Sequence, residues 1–510
     1  MPLRHALSQN RFVQTAQSWT AVWPFRRAAD SVQAVALLLV IFGVIWIWHL
    51  MSVALTAPMD NLEQLVWARS PQWGYHKHPP LPTLMLAFLA QWTNYSAMTA
   101  SVLGGMCTLL SAAIYWNLLR QIWGRPAAYV GLLAALCITF YNGRLYYYNH
   151  NTVLMLCISM TVQSWWMILT TGRMRWWIAL GLSAGLGMLS KYQYLVVLMP
   201  SVVLLWQLKP WHQRKHLRGL VWALLTALLV FMPHAVWLSQ NDIANSPIGY
   251  ALRSARPAFL PAEDDQVNSG MHSALWLFDL VLNRCLPALL LLLAVMAVSQ
   301  PKSIHSSADH PELSGTRFLT LWGRLPVVSI VLVGLIAGLD LQSQWGTALA
   351  IWIIPLVMIG LRLHDRRICQ QLNWIALALF LVIQALLLLR SYHTSAFGCC
   401  SHVHPQRWRL FDSQALANEL EASARQAVGG RFTIIAGPVT TAGAVALALS
   451  DKPKVLIDHD LRKSPWIDPV ELQSPGVLQL WPPNTGPSHR ALLRSGWGWT
   501  AHTLDYSAAP

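Results

Sequence analysis

From Val35 to about Arg390 the chain alternates long apolar runs with short polar loops. Each run is long enough to cross a hydrocarbon core of about 30 Å. At roughly twenty residues per helix, the runs fall near 35–56, 97–118, 126–142, 150–170, 175–190, 193–208, 218–238, 273–298, 325–340, 345–361 and 372–390, about eleven spans. Leu81–Trp92 is apolar but too short to span, and reads as a helix that lies at the interface or re-enters beneath the first loop. Beyond Arg390 the pattern changes. Ser413–Ala427 fits an amphipathic helix, Phe432–Ala436 and Val455–Ile457 fit short strands, and Gly429-Gly430 with Pro/Gly clusters punctuates them. The expected fold is an α-helical polytopic membrane protein in three parts: a segment 1–34, a membrane domain 35–390 whose first loop is 57–96, and a small α/β domain 391–510. No repeat of fixed period is visible.

Composition agrees with this reading, since 55% of the 510 residues are hydrophobic and only 11% are charged, outside the range of soluble domains. The formal charge of +15 changes the picture more. Ten Lys/Arg against nine Asp/Glu follow Ser391, so nearly all the excess lies in the membrane region, where it tracks topology rather than a nucleic-acid partner. With the basic N-terminus inside, one orientation puts Arg120 and Arg125, Arg173 and Arg175, the Lys209–Arg218 cluster, Lys302 to Arg324 and Arg362 to Arg367 on the cytoplasmic face. The 57–96 loop, the Tyr141–Asn149 turn, the Lys191 turn, the 239–272 loop and the C-terminal domain then lie on the opposite, periplasmic face of a bacterial inner membrane. Arg4, Arg11, Arg26 and Arg27 precede a full-length span without a small-residue cleavage motif, so the first span is expected to stay. The seven Cys, including the adjacent Cys399 and Cys400, show neither metal-ligand spacing nor a disulfide framework.

The first outer loop carries the most chemistry. It reads Asp60-Asn-Leu-Glu63-Gln-Leu-Val-Trp67 and then Gly74-Tyr75-His76-Lys77-His78-Pro79-Pro80-Leu81. Asp60 and Glu63 are three apart and share a helix face, at a membrane exit where low dielectric raises a carboxylate's basicity. Such a carboxylate can deprotonate an acceptor hydroxyl. The same spacing also satisfies a helix N-cap with its box partner. Lys77, between two histidines and before Pro79-Pro80, suits a fixed cation on a phosphate leaving group, and equally a snorkelling interfacial lysine.

An Asp just after the first span followed by Tyr-x-Lys-x-Pro-Pro-Leu resembles the family 39 glycosyltransferases of the GT-C class. These include protein O-mannosyltransferases and the lipid A aminoarabinose and lipopolysaccharide galacturonosyl transferases. Arg144-Leu-Tyr-Tyr-Tyr-Asn149-His-Asn151-Thr152 is similar to that family's outer turn, and Gly187-Met-Leu-Ser-Lys191-Tyr192 to its Gly-x-x-x-Lys-Tyr turn. The likeness covers about residues 35–240 well, the later spans by architecture and the tail loosely. It implies an inverting transfer from a polyprenyl-phosphate sugar to an acceptor glycan, lipid A or protein at the periplasmic face. Asp60 would be the base and Lys77 a ligand of the donor phosphate, with Arg144 and Lys191 as auxiliary contacts and Tyr75, His78, Asn151 and Tyr192 as further donor-binding positions. Many members follow the Asp directly with Glu, whereas Asn61 stands here and the second acid comes at Glu63.

The resemblance implies no cofactor beyond the lipid-linked donor, no metal ligands among these positions and no nucleic acid; a divalent-metal requirement stays open. Asp279, Asn283 and Arg284 lie in an otherwise apolar span, where ionisable groups are functional or paired with each other. Asp340 reads as a water-facing helix end and Trp345 as an interfacial anchor. Arg253, Arg256 and Glu263-Asp264-Asp265 form a loop that either closes over the site or is a solvated connector. Two other functions fit the same spans: a transporter or flippase of lipid-linked glycans, and a glycan polymerase or ligase, which places its chemistry in a later loop.

Overall fold

The computed structural model describes residues 30–254, 269–301, 314–337, 341–367, 370–401 and 407–501. The expectations on Arg4, Arg11, Arg26, Arg27, Arg256, Glu263, Asp264, Asp265, Lys302 and Asp340 lie outside them, as does the side chain of Arg253.

The chain is a helical membrane protein with a small mixed domain at its C-terminal end. Its helices run in order α1 Val32–Ser52, α2 Met59–Ala68, α3 Leu81–Ala90, α4 Ala97–Trp123, α5 Arg125–Leu136, α6 His150–Thr171, α7 Met174–Ser190, α8 Tyr194–Leu208, α9 Arg214–Gln240, α10 Pro247–Ser254, α11 Ser269–Phe278, α12 Leu286–Val298, α13 Gly315–Ala337, α14 Ala350–Gly360 and α15 Gln370–His393. Seven described helices are long and apolar enough to cross a membrane, and α11 with α12 forms an eighth candidate bent by 55°. The expected count of about eleven is therefore not confirmed. Three of the expected spans fall outside these eight: α5 has 12 residues, α7 has 17 and α14 has 11. The reason is visible in α5, where every residue from Ala127 to Leu136 is buried in protein, so the helix has no need to match the bilayer by itself. Small residues let other helices approach closely. Gly181 of α7 lies against the Ala223 backbone of α9, where any Cβ would collide.

The tail folds as two helices, α16 Ser413–Ala424 and α17 Val439–Ala448, on a five-stranded sheet. Its strands are β1 Ile434–Gly437, β2 Lys454–Ile457, β3 Val477–Trp481, β4 Ala491–Leu492 and β5 Gly498–Ala501, ordered β2-β1-β3-β5-β4. β1 pairs parallel with β2 and β3, and β5 pairs antiparallel with β3 and β4. Two of these strands and α16 match the pattern of the sequence; α17 and the later strands add to it.

The short helix α2 joins the two parts. Leu65 and Ala68 are buried in the membrane core, while Val66 and Trp67 belong to the core of the C-terminal domain with Leu416, Leu420, Val445 and Leu480. Successive residues on a helix point about 100° apart, so one turn serves both cores. The helix that carries Asp60 and Glu63 is gripped from two sides.

Candidate active site

α2 begins after Pro58, and no side chain caps it. Asp60 therefore sits in the first turn and not at an N-cap, so its carboxylate is not consumed by its own helix. It accepts a hydrogen bond from Asn149 Nδ2 to Oδ2 at 2.7 Å. One residue on, Asn61 is fully buried and joins α2 to the Tyr141–Asn149 turn: its Nδ2 donates to the Tyr146 carbonyl at 2.9 Å, and its Oδ1 accepts from the Tyr148 amide at 2.7 Å. The departure from the Asp-Glu pattern thus has a local reason, because a neutral amide that both donates and accepts is what two backbone partners of opposite polarity require.

Glu63 lies one turn further along and pairs with Lys77, Nζ standing 3.1 and 3.2 Å from its two oxygens. Burial works against the Lys77 ammonium, but Glu63 and then Asp60 more than offset it and hold Lys77 charged, above the usual lysine range. Lys191, in the turn between α7 and α8, donates to Asn151 Oδ1 at 2.9 Å and lies 5.3 Å from the centre of the Trp345 ring. Its burial, only partly opposed by Asp60 and reinforced by Lys77, lowers it to about 7. Asn149 and Asn151 flank the first residue of α6, so a single helix start holds the Asp60 carboxylate on one side and the Lys191 ammonium on the other.

Two cavities meet this cluster. The larger, about 320 Å³, is lined by Lys77, His78, Lys191, Tyr192, Trp345 and several aliphatic side chains. The smaller, about 160 Å³, is lined by Asp60, Arg144, Tyr147, Asn149, Gln344 and Trp408 among others. Gln344 and Trp345 are adjacent in sequence, one in each wall. Arg144 is stacked by Phe140 and Tyr147, each ring centre 5.6 Å from its guanidinium carbon, and makes no side-chain hydrogen bond or ion pair among the described residues. Burial lowers its affinity for protons, yet an arginine stays charged.

His78 is buried with its ring centre 3.4 Å from that of His150; burial first, then His150, Lys77 and Lys191 hold it neutral, well below the usual histidine range. Burial and then Lys77 likewise lower His76 to about 4.

The remaining expected residues have other neighbours. Tyr75 stacks on Trp67 at 4.6 Å and its hydroxyl accepts from the Gln72 amide at 3.1 Å, in the packing between α2 and the C-terminal domain. Tyr192 lines the larger cavity, but its hydroxyl is engaged with His234 Nε2 of α9 at 2.7 Å. Asp279, Asn283 and Arg284 are paired with one another: Arg284 Nε and Asn283 Nδ2 lie 3.0 and 2.6 Å from Asp279, which also accepts from Ser343. Trp345, expected as an interfacial anchor, lines the larger cavity beside Lys191.

Sequence reasoning missed Gln344, Thr347 and Trp408, all on the Asp60 cavity, and Arg409, whose Nη2 donates to the Gly143 carbonyl at 3.1 Å. Nothing in their local pattern marks them; only the fold brings them there. Among the described residues no group of three or more His, Cys, Asp or Glu side chains is arranged to hold a metal ion.

The fold is similar to that of a solved membrane protein, ArnT. ArnT from Cupriavidus metallidurans, solved bound to undecaprenyl phosphate, superposes with a TM-score of 0.61 at 13% identity, over 94% of this chain and all of that one. The apo form of the same enzyme gives 0.50, over 91% and 93%. Residues 77–237 match the dolichyl-phosphate-mannose-protein mannosyltransferase family. A curated relative, the lipopolysaccharide core galacturonosyltransferase RgtA of Rhizobium johnstonii, is 28% identical over 221 residues, 42% of this chain and 44% of its own length. The match thus spans less than half of that relative. Together these likenesses support the family 39 resemblance that the loop motifs carry.

Proposed function

We propose that this protein transfers a sugar from a polyprenyl-phosphate donor to an acceptor hydroxyl at the periplasmic face of a bacterial inner membrane, inverting the anomeric centre. The observation that carries the proposal is one carboxylate with an open oxygen, Asp60, held at the start of α6, within electrostatic reach of two ammonium groups, Lys77 and Lys191, that line one cavity. A polyprenyl-phosphate sugar needs cations for its phosphate and an apolar wall for its tail in one place. The larger cavity offers both, with Lys77 and Lys191 set among Leu195, Val196, Ile330 and Val333.

In this reading Lys77 and Lys191 hold the donor phosphate and stabilise the charge that grows on it as the anomeric bond breaks. Asp60 takes the proton of the attacking hydroxyl through its uncommitted oxygen, from the side of the smaller cavity. Glu63 keeps Lys77 extended and charged. Arg144, on the Asp60 side, is available to an acidic or hydroxylated part of either substrate. The acceptor is a glycan, lipid A or a protein hydroxyl, and the lipopolysaccharide relative favours an envelope glycan or lipid.

The test is direct. Purified protein in lipid nanodiscs, given a polyprenyl-phosphate sugar and envelope acceptor lipids, is expected to release free polyprenyl phosphate, read by mass spectrometry. A transporter or flippase would move the donor across the bilayer intact, and that outcome would overturn the proposal.

A further inference from the structure

We infer that Asn149 is the positioning residue of the Asp60 base, an inference that rests on the transferase reading above. Its side chain has no freedom to do otherwise. Asn149 caps α6: its Oδ1 accepts from the amides of Asn151 and Thr152 at 2.9 and 3.1 Å, and Thr152 Oγ1 returns a bond from the Asn149 amide at 3.0 Å. This reciprocal cap fixes which end of the amide is oxygen, since only an acceptor can face two N–H groups. The NH2 end must then point the other way, and there it meets Asp60 Oδ2 at 2.7 Å, across 89 residues of sequence. Asn149 is itself only 6% exposed, so the contact is a built one.

The consequence for the reaction is orientational. Asp60 belongs to α2 and has no helix-capping duty, so without this bond its carboxylate could rotate about its terminal torsion, which is broad for aspartate. With Oδ2 tied, Oδ1 is presented to the cavity as the proton acceptor, and it has no partner among the described residues. Other charged or titratable groups act on Asp60 from each neighbouring element: Glu63 on its own helix, Lys77 in the first loop, Arg144 and Tyr147 in the turn before α6, and Lys191 after α7. Asn149 alone among the described residues hydrogen-bonds it.

Because Asn and Asp cap helices about equally well, Asn149→Asp separates the two roles of this residue. The variant keeps an acceptor for the Asn151 and Thr152 amides but replaces the donor facing Asp60 with a second carboxylate. We expect it to fold, with a somewhat lower melting temperature because two carboxylates now face each other, and to retain binding of polyprenyl phosphate. Its kcat is expected to drop by about 10²-fold at pH 7, the scale of general-base catalysis, with the acid limb of its pH–rate profile moved to higher pH because two facing carboxylates share a proton. Asn149→Ser, which also caps but is too short to reach Asp60, should lose kcat without the second charge and decides the matter if the Asp variant does not fold. Wild-type kcat and an unmoved acid limb in the folded Asp variant, or wild-type kcat in the folded Ser variant, would reduce Asn149 to a helix cap. Asp60→Asn run alongside distinguishes the failures: if it too keeps full activity, the base assignment itself is wrong, whereas its inactivity with an active Asn149→Asp overturns only the positioning role.

Discussion

At the scale of single residues, Lys191 makes the sharpest quantitative prediction. Burial lowers it to about 7, so in the absence of ligand its positive charge is lost as pH rises through that value. Affinity for polyprenyl phosphate is therefore expected to weaken as pH rises across about 7, as titration with the lipid in nanodiscs would show. Lys191→Arg should bind with a flatter profile because a guanidinium does not deprotonate in this range, and Lys191→Met should bind poorly throughout. The stability sign runs with this. The unfolded chain keeps the Lys191 proton to about 10.4, so between about 7 and 10.4 the unfolded state binds more protons, and the contribution of Lys191 rises with pH over that window. Lys77 behaves oppositely, since Glu63 and Asp60 hold its proton above the usual range. Identical side chains in one site thus divide into a permanent cation and one set near neutrality. The types of both were legible in the sequence; their difference was not, because it depends on Glu63 reaching Lys77 across fourteen positions.

At the scale of elements, the site is made by the starts of α2 and α6, the turn that precedes α6, and the two turns that carry Lys77 and Lys191. Asn61 locks α2 to the Tyr146 carbonyl and the Tyr148 amide, and Gly104 of α4 lets the Tyr147 backbone approach so closely that a Cβ there would strike its carbonyl. Asn61→Ala leaves a buried carbonyl and a buried amide without partners. It is expected to cost about 2 kcal/mol or more of stability, seen as a lower melting temperature, and to reduce turnover because the turn it releases leads directly into Asn149. A melting temperature equal to wild type would show that this clamp is not needed. The two motifs in the sequence, around Asp60 and around Asn149, each stood out as polar breaks between apolar runs. What linear reading could not give is the join between them, because Asn61 and Asn149 are short amides whose partners lie 85 or more residues away. Helix boundaries followed the same logic: exposed apolar runs such as α1 were plain, whereas the buried α5 and α14 merged into the pattern as full spans.

At the scale of the whole molecule, α2 is shared between the membrane core and the C-terminal sheet, so the helix that carries Asp60 is held by both parts at once. The sequence pattern located a mixed domain after the last span but not its grip on Val66, Trp67 and Tyr75, which look like ordinary interfacial residues until the sheet is seen against them. The central claim is that Asp60 acts on the chemistry while the lysines hold the lipid phosphate, and Asp60→Asn separates the two. In nanodiscs, this variant should retain or improve its affinity for polyprenyl phosphate while releasing it from the donor sugar at least about 10²-fold more slowly than wild type. Release at the wild-type rate by a well-folded Asp60→Asn protein would contradict the account.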